Sequence, residues 1–130
     1  MEPKTLTSGL LHETLLILDF GSQYTQLIAR RIRELNVFSE IQPYNYDLSL
    51  IKHKNIKGII LSGGPSSVYE EDASRINDEI LKMGLPILGI CYGLQLITFL
   101  SGGKIAPAEH KEYGLAKLDI TNHSTLFKNI

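Results

Sequence analysis

With one cysteine in 130 residues, this chain can close no internal disulfide and can build no multi-cysteine metal site. Its 13 basic and 14 acidic side chains leave a formal charge of -1, so no long-range field draws in a nucleic acid or an anionic membrane. Proline is scarce, at 5 residues, and the hydrophobic (43%) and charged (21%) fractions are those of a folded soluble domain, which excludes disorder and fibrous repeats. The longest apolar stretch, Pro86 to Leu100, is interrupted by Gln95 and falls short of the ~20 residues that a membrane-crossing helix needs. Met1 to Glu13 lack the basic end, apolar run and cleavage site of a secretory signal, so a cytoplasmic protein is expected. The chain reads as one unit, residues 14–130, behind a leader at 1–13. It shows no internal repeat and no low-complexity segment.

What is present is an alternation of apolar strands and amphipathic helices. Thr14 to Asp19 reads as a strand, and Ser22 to Leu35 as a helix with Tyr24, Leu27, Ile28, Ile32 and Leu35 on its apolar stripe. Arg30, Arg33 and Glu34 lie off that stripe and read as a solvated face. Val37 to Gln42 is a second strand, stopped by Pro43, and Leu48 to Lys52 a brief helical turn. Lys57 to Leu61 is a third strand that breaks into the loop Ser62 to Ser67. A helix is expected over Ala73 to Met83, with Gly84 at its end and Pro86 beyond. Pro86 to Ile90 is a fourth strand and Leu94 to Leu100 a mostly apolar helix. Short strands are expected at Lys104 to Ala108 and Leu115 to Thr121. Continuously apolar strands that alternate with helices predict an α/β, doubly wound, mostly parallel sheet with helices on both faces.

Strand and helix meet at Gly89-Ile90-Cys91-Tyr92-Gly93, a nucleophile type between two glycines at a strand-to-helix junction. A sharp turn there lifts the side chain above the sheet, and the flanking glycines leave room for the backbone. A thiol at a helix N-terminus feels the positive end of the helix dipole, which favours the attacking thiolate. The plain alternative is a small buried hydrophobe, the usual lot of an unpaired intracellular cysteine; the glycines, strand and helix around Cys91 favour the nucleophile. Acyl transfer also needs oxyanion donors, commonly the N–H after the nucleophile and one from a neighbouring loop. Tyr92 supplies the first, and Gly64 and Ser66 are the candidates for the second. The same loop read as a phosphate nest lacks the lysine or glycine spacing of a nucleotide site.

On these residues a likeness becomes specific. Gly89 to Gln95 (GICYGLQ) resembles the nucleophile motif of class I glutamine amidotransferases, and Ser62-Gly63-Gly64-Pro65 is similar to their second loop. Within that family, Asp19 to Arg31, Ser66 to Tyr69 and Gly102 to Glu109 resemble the branch whose ammonia goes to a synthetase acting on XMP. The resemblance runs from about Leu15 to about Ile120 and implies a flavodoxin-like fold. It also implies hydrolysis of L-glutamine through a cysteine thioester, with the backbone at Gly64 and Tyr92 holding the oxyanion and Gln95 helping to seat the substrate. The implied partner is a synthetase (ATP pyrophosphatase) domain or subunit; ATP and Mg belong to it, and no cofactor is expected in this segment.

The family's base is a histidine with a partner glutamate far downstream of the cysteine, and no such pair stands in place here. His110-Lys111-Glu112 imitates it, but falls inside the stretch similar to the family's Ala-Pro-Ala-Glu region and reads as a decoy. His12, His53 and His123 read as surface residues. The domain is therefore expected to be C-terminally incomplete, and inactive alone. Two other readings remain open: another cysteine-dependent α/β hydrolase that uses His110 as base, and a non-catalytic flavodoxin-like binding module with an idle cysteine.

Overall fold

The structure, a computed structural model, describes residues 12–64, 78–104, 117–122 and 124–129. Four strands form one parallel sheet: β1 (Thr14–Asp19), β2 (Phe38–Pro43), β3 (Ile56–Leu61) and β4 (Ile87–Gly89), in the spatial order β2-β1-β3-β4. Helix α1 (Thr25–Glu34) follows β1, and α2 (Tyr92–Leu100) follows β4. A 3-10 turn, Leu48–His53, leads into β3, and another, Asp78–Lys82, precedes β4. This is a doubly wound, flavodoxin-like arrangement, in which the chain steps outward from β1 to β2 and then crosses to β3 and β4 on the other side.

Alternation along the central strands feeds two cores. Leu16 and Leu18 of β1 and Ile59 and Leu61 of β3 join Ile51, Ile80, Tyr92 and Leu96 on one face. Ile17 and Ile60 point the other way and pack with Ala29 and Ile32 of α1. Both faces of β1 are thus covered, which is why its middle reads as an unbroken apolar run. A register shift between Thr14 and Leu15 lets Ile56 share the face of Ile59 and Leu61 despite its different parity.

Helix α1 differs from its expected stripe. The residues it buries are Thr25, Ala29 and Ile32, while Tyr24, Leu27 and Leu35 are exposed. The small Thr25 and Ala29 face the sheet together with Ile32, while Tyr24, Leu27 and Leu35 fall at the margins. The helix also starts later than expected. Asp19 and Ser22 accept hydrogen bonds from the Gly21 N–H (2.8 Å) and Tyr24 N–H (3.0 Å), tying residues 20–24 into a loop. Arg30, Arg33 and Glu34 are exposed, as a solvated face requires.

Of the helix expected over Ala73 to Met83, the described end is 3-10, a tighter winding common where helices stop; Gly84 follows at φ +77°. Residues 117–121, expected to be a strand, are irregular. The leader up to residue 11, residues 73–77 of that helix, and residues 105–108 and 115–116 of the expected short strands lie outside the described residues. Among the described residues no helix is long and apolar enough to cross a membrane.

Candidate active site

Every strand of the sheet runs the same way, so the loops after β1, β3 and β4 emerge at one edge, the carboxyl end. The order reversal lies between β1 and β3, where open α/β sheets form ligand crevices. A cleft of about 360 Å³ opens there, lined by residues 21–24 after β1, Gly63 and Gly64 after β3, and Cys91 after β4.

Cys91 sits at φ 54°, ψ -114°, a conformation that L side chains rarely adopt. The turn is built by its neighbours. Ile90 donates its N–H to the Leu61 carbonyl at 3.0 Å, extending the β3–β4 ladder, and three residues later the Gly93 N–H bonds back to the Ile90 carbonyl at 2.9 Å. The Leu94 and Gln95 N–H groups then both reach the Cys91 carbonyl, at 3.0 and 3.2 Å, and α2 begins. Gly93 is obligatory: a Cβ there would stand 2.1 Å from the Leu61 carbonyl oxygen. The thiol is exposed, at the N-cap of α2.

The loop after β3 lies against both neighbours. A Cβ at Gly64 would stand 2.4 Å from the Phe20 carbonyl oxygen, and one at Gly63 would stand 3.1 Å from Cys91 Cβ. Only bare backbone can pass between the other two loops at this distance. The strip Gly63-Gly64 is therefore pressed directly beside Cys91.

Of the residues singled out in the sequence, the cleft brings together Cys91 and Gly64. Tyr92 opens α2 next to Cys91, with its ring 2% exposed and tilted against Phe20 at 5.4 Å between centroids. Gln95 is half-buried one turn along α2 and does not line the cleft. Ser66, His110, Lys111, Glu112 and His123 lie outside the described residues. His12 and His53 are exposed and precede β1 and β3, at the amino ends of the strands, the opposite edge from Cys91. His12 stacks on Phe38 at 5.4 Å, a surface role.

Sequence reasoning missed Gly21, Ser22, Gln23 and Tyr24 as walls of the cleft. A signal was available, because any loop at the carboxyl end of a strand beside the switch point borders the crevice. The notable titration shifts lie elsewhere. Partial burial pushes the Glu40 carboxyl up, but hydrogen bonds from Lys54 and Gln42 and the Lys54 charge outweigh it and hold it below its ordinary value. Asp47 is held down by its hydrogen bonds to Ser49 at the start of the first 3-10 turn.

The class-I glutamine amidotransferase family matches residues 16–130. A GMP synthase (glutamine-hydrolyzing) of Brachyspira hyodysenteriae is 57% identical over 117 residues, which are 90% of this chain and 23% of that protein. One of Caldanaerobacter subterraneus subsp. tengcongensis is 57% identical over 122 residues, 94% of this chain and 24% of that protein. Among solved structures, one described as a GMP synthase subunit from Thermoplasma acidophilum superposes with a TM-score of 0.76 at 30% identity, covering 92% of this chain and 60% of that one. The chain thus spans about a quarter of the length of the curated relatives it matches.

Proposed function

From the premise that this chain belongs to the class-I glutamine amidotransferase family, we propose that its cleft hydrolyses the side-chain amide of L-glutamine through a thioester on Cys91. One observation carries the reading: a cysteine held at positive φ at the head of a helix, with the backbone of Gly63-Gly64 pressed beside it. That is the geometry of covalent acyl transfer.

The Cys91 thiolate attacks the carboxamide carbon, and the charge that develops on the oxygen is met by backbone N–H groups of Gly64 and Tyr92. When the tetrahedral adduct collapses, the carbon–nitrogen bond breaks and the nitrogen takes up a proton to leave as ammonia. Water then adds to the thioester and releases glutamate and the free thiol. Neither described histidine stands near enough to handle these protons, since both lie at the opposite edge of the sheet. A base from outside the described residues completes the cycle; His110-Lys111-Glu112 is not assigned that role.

The names of the relatives support a destination for the ammonia. We assign it to a synthetase portion that converts XMP to GMP, as a further domain or a separate subunit. ATP and Mg serve that portion, and the steps proposed for this chain use neither. The setting this implies is cytoplasmic purine nucleotide synthesis.

The test uses an electrophile shaped like the substrate. A chloroketone analogue of glutamine should alkylate Cys91 much faster than it alkylates a small thiol in solution, L-glutamine should protect, and Cys91→Ser should abolish labelling. Labelling at the rate of a model thiol, indifferent to L-glutamine, would sink the assignment.

A further inference from the structure

Ser62 and Thr25 are polar side chains buried where apolar ones would be expected, at 0% and 3% exposure. Neither lines the cleft, so neither has a place in the chemistry just proposed. Their hydrogen bonds go to one purpose. Ser62 Oγ donates to the Leu18 carbonyl at 3.0 Å and accepts from the Phe20 N–H at 3.4 Å, so it grips the end of β1 from the end of β3. Thr25 Oγ1 stands 3.3 Å from Ser62 Oγ and donates to Asp19 Oδ1 at 3.0 Å. The same carboxylate oxygen accepts the Gly21 N–H at 2.8 Å.

The Ser62 bonds tie the strip after β3 to the end of β1, the Thr25 bond through Asp19 braces the loop after β1, and the two hydroxyls meet at 3.3 Å. Ser62 immediately precedes Gly63 and Gly64, while Asp19 and Thr25 bracket residues 21–24. A bond network inside the protein that is fully satisfied fixes one arrangement and penalises the others. We infer that Ser62 and Thr25 are positioning residues for Cys91, their hydroxyls holding the Gly63-Gly64 strip and the 21–24 wall at the spacing that glutamine and its oxyanion require. The inference rests on the glutaminase reading. It follows from the closeness of the strip to the nucleophile: with the Gly63 Cβ position 3.1 Å from Cys91 Cβ, a small slip of the strip moves the oxyanion donors away from the reacting carbon. A misplacement of about 1 Å costs as much as ~10²-fold in rate.

The readout is the ratio of two alkylation rates at Cys91 in the full 130-residue chain: the glutamine chloroketone, which needs the walls, over iodoacetamide, which needs only an accessible thiol. Thr25→Val keeps the shape and removes the hydroxyl, and should lower the ratio by about 10-fold or more while circular dichroism reports an intact fold. Thr25→Ser restores the hydroxyl and should restore the ratio. Should Thr25→Val fail to fold, Ser62→Ala, which deletes one oxygen, is held to the same criterion. An unchanged ratio in the folded variant overturns the inference and leaves the glutaminase reading standing, as does an equal loss in Thr25→Ser. If the parent chain itself shows no preference for the glutamine electrophile, the glutaminase reading falls and the inference falls with it.

Discussion

Cys91 is held where glycine would be more comfortable, at φ 54° and ψ -114°. Such a conformation costs a residue with a Cβ about 1–3 kcal/mol, and it persists because Gly93 fits under the Leu61 carbonyl and the β3–β4 ladder anchors Ile90. The strain has a use, since it places the thiol at the mouth of the cleft and at the head of α2. Cys91→Gly should therefore raise stability by about 1 kcal/mol in urea unfolding while it abolishes labelling by the glutamine electrophile. Equal or lower stability would show that the conformation is not strained. Gly93 is the opposite case, where the missing side chain is needed for space and not for φ.

Between elements, the most informative contact is the ion pair of Glu40 on β2 with Lys54 in the turn before β3, which bridges the sheet across β1. Lys54 also lies over the Tyr46 ring, 5.2 Å from its centroid. Burial pulls the Lys54 ammonium down, but its bond to Glu40 and the nearby Glu40 and Tyr46 side chains prevail and hold it above 10.5. The Glu40 carboxyl is held below 4.5. A lowered carboxylate stabilises the fold above its unfolded value and loses that contribution as pH falls through the folded one; a raised ammonium contributes below its unfolded value and loses it as pH rises through the folded one. The pair thus contributes across the neutral range and fades at both ends. Glu40→Gln should cost about 1 kcal/mol at pH 7, a modest figure because both groups retain some contact with water, and the gap from the parent should close as pH drops below 4.5. A gap that stays constant in acid would mean that charge plays no part.

For the whole molecule, the decisive feature is a sheet whose central strands β1 and β3 are buried on both sides, with the cleft-lining loops at one edge. Leu16 and Ile17 are each 0% exposed but face opposite cores, of which the Ile17 side is the smaller among the described residues. If the smaller core is truly closed, Ile17→Ala should cost about as much as Leu16→Ala, in the range of about 2–5 kcal/mol each by urea unfolding. A cheap Ile17→Ala would mean that α1 covers its face only loosely. The parallel direction matters for function because it gathers loops from Gly21, Gly63 and Cys91, far apart in the chain, around one crevice.

The sequence alone determined the features that depend on near neighbours. The strands at Thr14 and Lys57, the turn at Gly84 and the elbow around Cys91 were all legible, because apolar runs, glycine and proline act on the backbone within a few residues. What lay beyond it were choices made between distant segments. Helical spacing put Leu27 and Leu35 on the inner stripe of α1, but the sheet accepted the smaller Thr25 and Ala29 instead, since closeness of approach is set by the surface the helix meets. Gln95, a substrate contact only by the family likeness, sits half-buried one turn after Cys91 and is not among the residues that line the cleft. The contacts of Ser62 with Leu18, Phe20 and Thr25 join residues dozens of positions apart, and no local pattern marks them. Only the strand order β2-β1-β3-β4 brings the end of β1 beside the end of β3, so only the folded sheet could decide which loops would meet around the thiol.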